Sequence, residues 1–427
     1  MTWALTIVAV ALLAVAAVSR RLSSTPVTPA MVFAAIGVLV GPLFLDDLNT
    51  SPKSSLVRTL AEATLALVLF SDASRIDART LRRQSTIPVR LLGIGLPLTI
   101  LLGSLLAAVL FGHVSVTEAV IIGVILAPTD AGLGQAVVTD RRLPQRIRQS
   151  LNVESGLNDG ICVPLLVIAL AVAASSSADP AKVVVEEIGW GVVAGVGAGV
   201  VAAGVVKLAG GRNLIERSWR QLIPVAAATL AYGTAAGLGG SGFIAAFVAG
   251  MLFGSLLRGD TGEITIFAEE AGTLLDGVTF LFFGAVLLGP TLEHITWQMA
   301  LYAVVSLTVV RMLPVALALW GTKARTPTVA LMGWLGPRGL ASIVFAVIVE
   351  DAHVRHTSTI IATTYLTIGL SVLLHGLSAA PLVDRYARWY RKEPEDVTPS
   401  MESEPASEFR TRGPVPHAAI AHTAATR

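Results

Sequence analysis

Charge is scarce in this sequence. Only 14% of its 427 residues are Asp, Glu, Lys or Arg, and 54% are hydrophobic, whereas a soluble domain carries about 25% charged residues. This composition excludes an ordinary soluble globular domain. The long apolar runs instead predict an all-α polytopic membrane protein, because only helices and closed barrels can span a bilayer.

Several chemistries lack the residues that they require. The one cysteine, Cys162, excludes an intramolecular disulfide, and no Cys/His cluster indicates zinc, iron–sulfur or haem. No Gly-x-x-x-x-Gly-Lys-Ser/Thr loop indicates an ATP motor, and no nucleophile–base pair or metal motif indicates an enzyme. The net charge of +2 does not indicate the basic surface that a nucleic-acid-binding protein carries. No cofactor is therefore expected, and if the chain transports a solute, the energy must come from an ion gradient.

Apolar segments predict about thirteen transmembrane helices within residues 1–385, which we take as the transmembrane domain. They lie near residues 3–18, 29–45, 56–73, 89–111, 116–139, 147–174, 183–209, 220–238, 241–257, 265–289, 296–320, 327–349 and 358–380. Residues 386–427 are polar and rich in Pro, Ser, Thr and Ala, so they predict a short disordered cytoplasmic tail.

Basic residues alternate between the two sides of the predicted membrane. The loops after odd-numbered spans carry most of them, beginning with Arg20 and Arg21, while the loops after even-numbered spans are nearly bare. Under the positive-inside rule the odd loops face the cytoplasm. We therefore expect a multi-pass plasma-membrane protein with its N-terminus outside and its C-terminus in the cytoplasm.

Two predicted spans are interrupted by proline and glycine. The fifth contains A-P-T-D from Ala127 to Asp130, and the twelfth contains G-P-R-G from Gly336 to Gly339. Paired interruptions of this kind indicate a transporter's binding site. Because the two spans are an odd number apart, the second unit enters the membrane with opposite orientation. We expect two inverted-topology repeats of six helices, with the seventh helix joining them.

Each interruption carries one charge, and the two charges have opposite signs. If the two breaks cross, two positive and two negative helix ends meet in a low dielectric. Asp130 is suited to cap the positive ends, and Arg338 is suited to cap the negative ends. The alternative is that Pro128 and Pro337 only kink their helices and that the charges reach an interface.

The sixth span holds two carboxylates where the bilayer core should be. A charge at the centre of a membrane helix costs about 2.5–3.5 kcal/mol on insertion scales, so such groups have a partner or a task. Ser155 and Asp159 share one face of the helix, and Glu154 and Asn158 share the neighbouring stripe. These oxygens suit a hard cation such as sodium. The alternative is a carboxylate that pairs with an arginine and locks two helices.

Three motifs carry a family resemblance. They are A-P-T-D in the fifth span, E-S-G-L-N-D-G in the sixth and G-P-R-G-L-A-S in the twelfth. In their order and spacing they resemble the NhaP-type sodium/proton antiporters, the electroneutral branch of the monovalent cation/proton antiporter family that is related to the animal sodium/proton exchangers. The resemblance covers all the predicted spans and implies a homodimer.

The resemblance also implies roles for individual residues. Asn158 and Asp159 would form the core of the cation and proton site, and Na⁺ would be held at Asp159, Ser155 and Thr129. Glu154 would form a structural ion pair with the arginine of the twelfth span.

The third span departs from the pattern of the family. Relatives often have Glu-Gly-Gly after the Leu-Phe of this span, whereas this chain continues with Ser71, Asp72 and Ala73. An additional ligand there stays open between Ser71 and Asp72.

The expected activity is electroneutral exchange of Na⁺ or Li⁺ for H⁺, in which a cation and a proton compete for Asp159. A K⁺/H⁺ antiporter of the same fold is the first alternative, because the sequence shows neither ligand number nor cavity size. A proton-coupled transporter of an organic solute and a channel are more distant alternatives. The expected partners are the lipid bilayer, monovalent cations, protons and a second copy of the chain.

Overall fold

The structure is helical, without strands, throughout the part of the chain that it describes. It is a computed structural model describing residues 2–22, 25–48, 55–75, 86–130, 132–133, 135–173, 180–257, 261–352, 354–392 and 401–403. The first helices are α1 (Thr2–Leu22), α2 (Pro29–Leu48), α3 (Ser55–Ser74), α4 (Thr86–Leu110, with a π-helical turn at Leu91–Gly95), α5a (Val116–Ile125), α5b (Gln135–Val138) and α6 (Gln145–Ala173).

The remaining helices follow with short connections. They are α7 (Pro180–Gly211), α8 (Ile223–Gly237), α9 (Gly242–Leu256), α10 (Ile266–His294, with a π-helical turn at Phe283–Leu288), α11 (Trp297–Ala318), α12a (Thr326–Trp334), α12b (Leu340–Asp351) and α13 (Thr357–Lys392). A single turn, Arg217–Arg220, precedes α8.

Many of these helices are long and apolar enough to cross a bilayer. By length and composition, seven qualify among the described residues: α1, α4, α6, α7, α10, α11 and α13. Shorter apolar helices lie at Pro29–Gly41, Val116–Ile125 and Gly242–Leu256. The prediction of an all-helical, multi-pass membrane protein is confirmed.

The helices pack as two groups. The first bundle consists of α1, α2, α3, α7, α8, α9 and α10, which pack chiefly against one another. The second bundle consists of α4, α5a, α5b, α6, α11, α12a, α12b and α13. The two bundles meet where α6 lies against α7 and α9 and where α12b lies against α3. An ion pair between Arg58 of α3 and Asp351 of α12b also joins them.

Glycines allow the closest helix packing in the first bundle. A Cβ atom added at Gly250 of α9 would overlap the carbonyl oxygen of Phe70, and one added at Gly254 would overlap that of Ser74. The two glycines are four residues apart and therefore face the same neighbour, α3, as small residues do at membrane helix interfaces.

We expect Gly254→Ala to destabilise the protein by about 1–3 kcal/mol, because the added methyl group forces α3 and α9 apart. The matched control is Gly233→Ala in α8, where an added Cβ would meet nothing within 4 Å. It should be neutral or stabilising, because alanine favours a helix over glycine by up to about 1 kcal/mol. Thermal unfolding in detergent, followed by tryptophan fluorescence, measures both. Equal melting temperatures for the two variants would contradict the packing argument.

The last helix continues beyond the boundary expected at residue 385. The helix continues to Lys392 because the turns after residue 385 still bury side chains. One of these is Tyr386, whose hydroxyl lies 2.8 Å from Thr328 Oγ1. Further along the predicted tail, Met401–Ser403 form one 3-10 turn, and the Glu402 carboxylate accepts a hydrogen bond from Thr328. Residues 393–400 and 404–427 of that tail lie outside the described residues.

Candidate functional site

Both interrupted spans lose their helical hydrogen bonding in the middle. The first piece, α5a, ends at Ile125 and α5b begins at Gln135, while α12a ends at Trp334 and α12b begins at Leu340. Proline removes a backbone donor and clashes with the preceding turn, which favours a break at Pro128. Proline alone does not require a break, because α6 continues through Pro164 and α13 through Pro381.

The two breaks lie directly against each other. The Asp130 N–H donates to the carbonyl of Pro337 at 2.8 Å, which joins the backbones of the two interruptions. Ser342 of α12b donates to the Ile125 carbonyl at the end of α5a, at 2.6 Å. The ends of four half-helices therefore meet at one buried crossing.

The Asp130 carboxylate accepts hydrogen bonds at the positively charged N-terminal ends of the half-helices. Asp130 Oδ1 accepts from the N–H groups of Gly132 at 2.6 Å and Leu133 at 3.3 Å, just before α5b. Its Oδ2 accepts from the Leu340 N–H at 3.0 Å, at the start of α12b. Helix N-termini carry partial positive charge and unsatisfied donors, and a carboxylate compensates both. A Cβ at Gly339 would overlap this carboxylate, which explains the glycine there.

Arg338 donates hydrogen bonds at the negatively charged C-terminal end of α5a. Its guanidinium is completely buried, and Nη1 donates to the carbonyls of Ala127 at 2.8 Å and Pro128 at 3.0 Å, beyond the end of α5a. The Arg338 N–H donates to Ser371 Oγ of α13 at 2.7 Å. Ser371 holds the break from a third helix and was not among the residues that the sequence pointed to, because a serine in an apolar span has no distinguishing pattern.

Glu154 pairs with Arg311, which corrects the Glu154–Arg338 ion pair implied by the resemblance. Arg311 Nη1 lies 2.5 Å from Glu154 Oε1, and Nη2 lies 3.0 Å from Oε2, a bidentate arrangement between buried groups. Arg338 is instead directed at the carbonyls of the α5 break. Gly336 makes room for the observed pair, because a Cβ there would overlap the Arg311 side chain. A buried cation in α11 was the signal that could have suggested it.

We expect Glu154→Gln to destabilise the protein by about 3–5 kcal/mol, because it leaves the Arg311 charge buried without its partner. The matched control is Glu186→Gln, which removes an exposed pair with Lys182 at 3.8 Å and should cost at most about 1 kcal/mol. Thermal unfolding in detergent compares the two. Adding Arg311→Gln to Glu154→Gln should restore part of the loss, and a Glu154 variant as stable as the control would contradict a stabilising ion pair.

A cluster of oxygens lies on α6 beside the crossing. Asn158 is 1% exposed and Asp159 is 8% exposed, near the middle of the helix. Asn158 Nδ2 donates to Thr129 Oγ1 at 2.7 Å, and that oxygen lies 3.0 Å from Ser155 Oγ. The structure thus brings Thr129 of the α5 break together with Ser155 and Asn158 of α6. Asp159 follows Asn158 directly and lies one helical turn after Ser155.

The donor set at this cluster has low charge. It consists of one carboxylate, two hydroxyls and an amide, whose Asn158 Oδ1 is buried and accepts no hydrogen bond within the described residues. In the part of the chain described, no three or more His, Cys, Asp or Glu side chains are grouped to hold a metal ion. Such a set fits a monovalent cation better than a divalent one, because each additional carboxylate raises the affinity for higher charge.

Ser71 and Asp72, the alternative accessory ligands, lie in a buried ion cluster. Arg75 Nη2 donates to Ser71 Oγ at 3.2 Å, and Nη1 lies 3.2 Å from Asp72 Oδ1. Arg75 also lies 3.2 Å from the Glu269 carboxylate of α10. The structure therefore directs both side chains towards Arg75, where they help to hold α3 against α10.

Two discontinuous helices that cross at a buried polar centre, next to a buried carboxylate, are typical of the architecture of secondary transporters. The sequence comparison is more specific. The family model for "Sodium/hydrogen exchanger, transmembrane" matches residues 8–385, and the chain therefore belongs to this family. The resemblance to NhaP-type antiporters is confirmed at this level.

Individual relatives include antiporters of two ion types. The chain is 26% identical over 370 residues to the K⁺/H⁺ antiporter NhaP2 of Shewanella oneidensis, covering 82% of this chain and 61% of that protein. It is 28% identical over 350 residues to the Na⁺/H⁺ antiporter NhaP of Pseudomonas aeruginosa, covering 75% and 79% respectively. The chain thus spans less than two thirds of the length of the Shewanella relative.

The fold is similar to a solved antiporter structure. Superposition on the sodium proton antiporter MjNhaP1 from Methanocaldococcus jannaschii gives a TM-score of 0.73 over 90% of this chain and 99% of that chain. The sequences are 22% identical in this alignment, so the comparison supports the overall fold.

Proposed function

We propose that this protein is a secondary antiporter that exchanges a monovalent cation for a proton at Asp159. The observation that carries this proposal is the hydrogen-bonded set of Thr129, Asn158 and Ser155 at the crossing of the two broken helices. Asp159 follows Asn158 directly on α6 and is itself buried. Family membership and the activities named for the relatives support the same reaction.

The other carboxylates near the crossing have structural tasks. Asp130 accepts three backbone N–H groups, and Glu154 is held by both terminal nitrogens of Arg311. Binding a proton or cation at either would disrupt a helix cap or an ion pair. Asp159 follows Asn158 and lies four residues after Ser155 on α6, in a stretch whose hydroxyl and amide groups can also coordinate a small cation. We therefore assign the exchange to Asp159.

The proposed exchange is one cation for one proton, with no net charge moved. Only one carboxylate takes part, because the adjacent position is Asn158, which is neutral and bonded to Thr129. The cation is Na⁺ or Li⁺ in this proposal. K⁺ is the second candidate, and it is favoured by the K⁺/H⁺ activity named for the Shewanella relative.

The proposed architecture has thirteen membrane crossings. Helices α1–α6 and α8–α13 would be inverted repeats joined by α7, with the N-terminus outside and the C-terminus in the cytoplasm of a plasma-membrane homodimer. The correspondence of the helices with the predicted spans, and the alternation of basic loops, support this arrangement. Movement of the second bundle against the first would expose Asp159 to each side in turn.

In liposomes containing a pH dye, an imposed Na⁺ or Li⁺ gradient should drive proton flux through the wild-type protein. Asp159→Asn should reduce the flux to that of protein-free liposomes, because the amide neither takes up a proton nor offers a charge to the cation. The matched control is Asp384→Asn, whose side chain is half-exposed in the last third of α13 and pairs with the exposed Arg142, away from the crossing. Full exchange by the Asp159 variant would refute the assigned site.

The same liposomes test the charge balance and the ion. We expect the initial rate to be unchanged when a membrane potential of either sign is imposed, because cation and proton carry equal charge in opposite directions. A rate that follows the potential would exclude one-for-one exchange. Flux with K⁺ alone would assign the second candidate ion, and no flux with any monovalent cation would favour the organic-solute alternative.

A further inference from the structure

A cavity lies in the first bundle, at the end that the basic loops assign to the cytoplasm. Its volume is about 510 Å³, within the range of about 300–1,000 Å³ that is usual for small-ligand sites. The C-terminal parts of α7 and α9 and the connection from α7 to α8 form its walls. Its lining includes Val206, Lys207, Asn213, Ile215, Arg220 and Leu256.

Two cationic side chains line this cavity. Lys207 is on the last turns of α7, and Arg220 is on the turn that precedes α8. Neither Lys207 nor Arg220 belongs to any of the ion pairs found among the described residues. Arg220 Nε is inaccessible to solvent and has no hydrogen-bond acceptor within those residues. A buried donor without an acceptor costs about 1–3 kcal/mol. An anion in the cavity would satisfy this donor and would offset the positive charge that Lys207 and Arg220 bring to the cavity.

The rest of the cavity is suited to lipid. Val206, Ile215 and Leu256 give it an apolar wall. The connection outside it presents exposed apolar side chains, including Leu214 at 72% exposure and Trp219 at 66%. Tryptophan favours the level of the lipid headgroups, and the cytoplasmic leaflet is the one that carries anionic lipid.

We propose that this cavity binds the phosphate-bearing headgroup of an anionic phospholipid from the cytoplasmic leaflet. Lys207 and Arg220 hold the phosphate, and the Asn213 amide lies in the same cavity as a donor for headgroup oxygens. The apolar wall contacts the first carbons of the acyl chains. A free phosphate would use the two cations but would leave this apolar surface exposed to water, so the cavity favours the lipid.

The test measures lipid retention by the purified full-length chain in detergent, using native mass spectrometry with phosphatidylglycerol or phosphatidylcholine. Phosphatidylglycerol should bind more tightly to the wild-type protein. The Lys207→Gln/Arg220→Gln variant should lose affinity for it by roughly fivefold per charge, on the order of 25-fold in total. Arg212→Gln, an exposed basic residue of the same connection that does not line the cavity, should leave the affinity unchanged.

Further variants keep the test independent of folding. Lys207→Arg/Arg220→Lys conserves both charges and should retain most of the binding, and each single Gln variant should show part of the loss. Equal retention of phosphatidylcholine and phosphatidylglycerol, or undiminished binding by the double Gln variant, would overturn the proposal. Displacement of the lipid by millimolar inorganic phosphate, with the same dependence on Lys207 and Arg220, would assign a soluble anion instead.

Discussion

The crossing of two interrupted helices is the constraint on which the centre of this structure depends. Interrupting a helix at membrane depth leaves backbone donors and acceptors that water cannot satisfy, and each costs several kcal/mol. Asp130 accepts donors from both interrupted chains, and Arg338 donates to the carbonyls at the end of α5a. Because these two charges are opposite, the crossing is satisfied without a net charge. The neighbouring polar groups then lie in a low-dielectric environment in which the charges of the helix ends are already compensated.

The structural charges at the crossing are distinct from the carboxylate that we propose exchanges a proton for a cation. The Glu154–Arg311 pair is buried and bidentate, and it fixes α6 against α11. One turn further along the same stripe of α6, Asn158 links α6 to the α5 break through Thr129. The proposed exchange site is thus built on parts that other interactions already hold. The first bundle contributes packing of a different kind, in which the glycines of α9 bring its backbone against α3.

Much of this arrangement was predictable because it depends on local pattern. Proline and glycine next to a charge predict a break and the charged residue that caps it from the backbone chemistry alone, and the helical period places Ser155 and Asp159 on one face. Partner choice was less predictable. Two arginines, Arg311 and Arg338, are buried near Glu154, and the period of one helix does not say which one reaches it. Ser371 was missed for the same reason, because its role depends on how α13 packs.

The sequence by itself determined that this is a membrane protein, where the two helices are interrupted, and which residues offer oxygen atoms as ligands. These features depend on hydrophobicity, helical period and backbone chemistry, which act over a few turns. Tertiary structure decided which of those groups meet. In the folded chain, Glu154 pairs with Arg311, and Ser71 and Asp72 contact Arg75. Contacts of Tyr386 extend α13 to Lys392. The physical reason is that hydrogen bonds and ion pairs act over about 3 Å, so they depend on the relative placement of helices that are far apart in the chain.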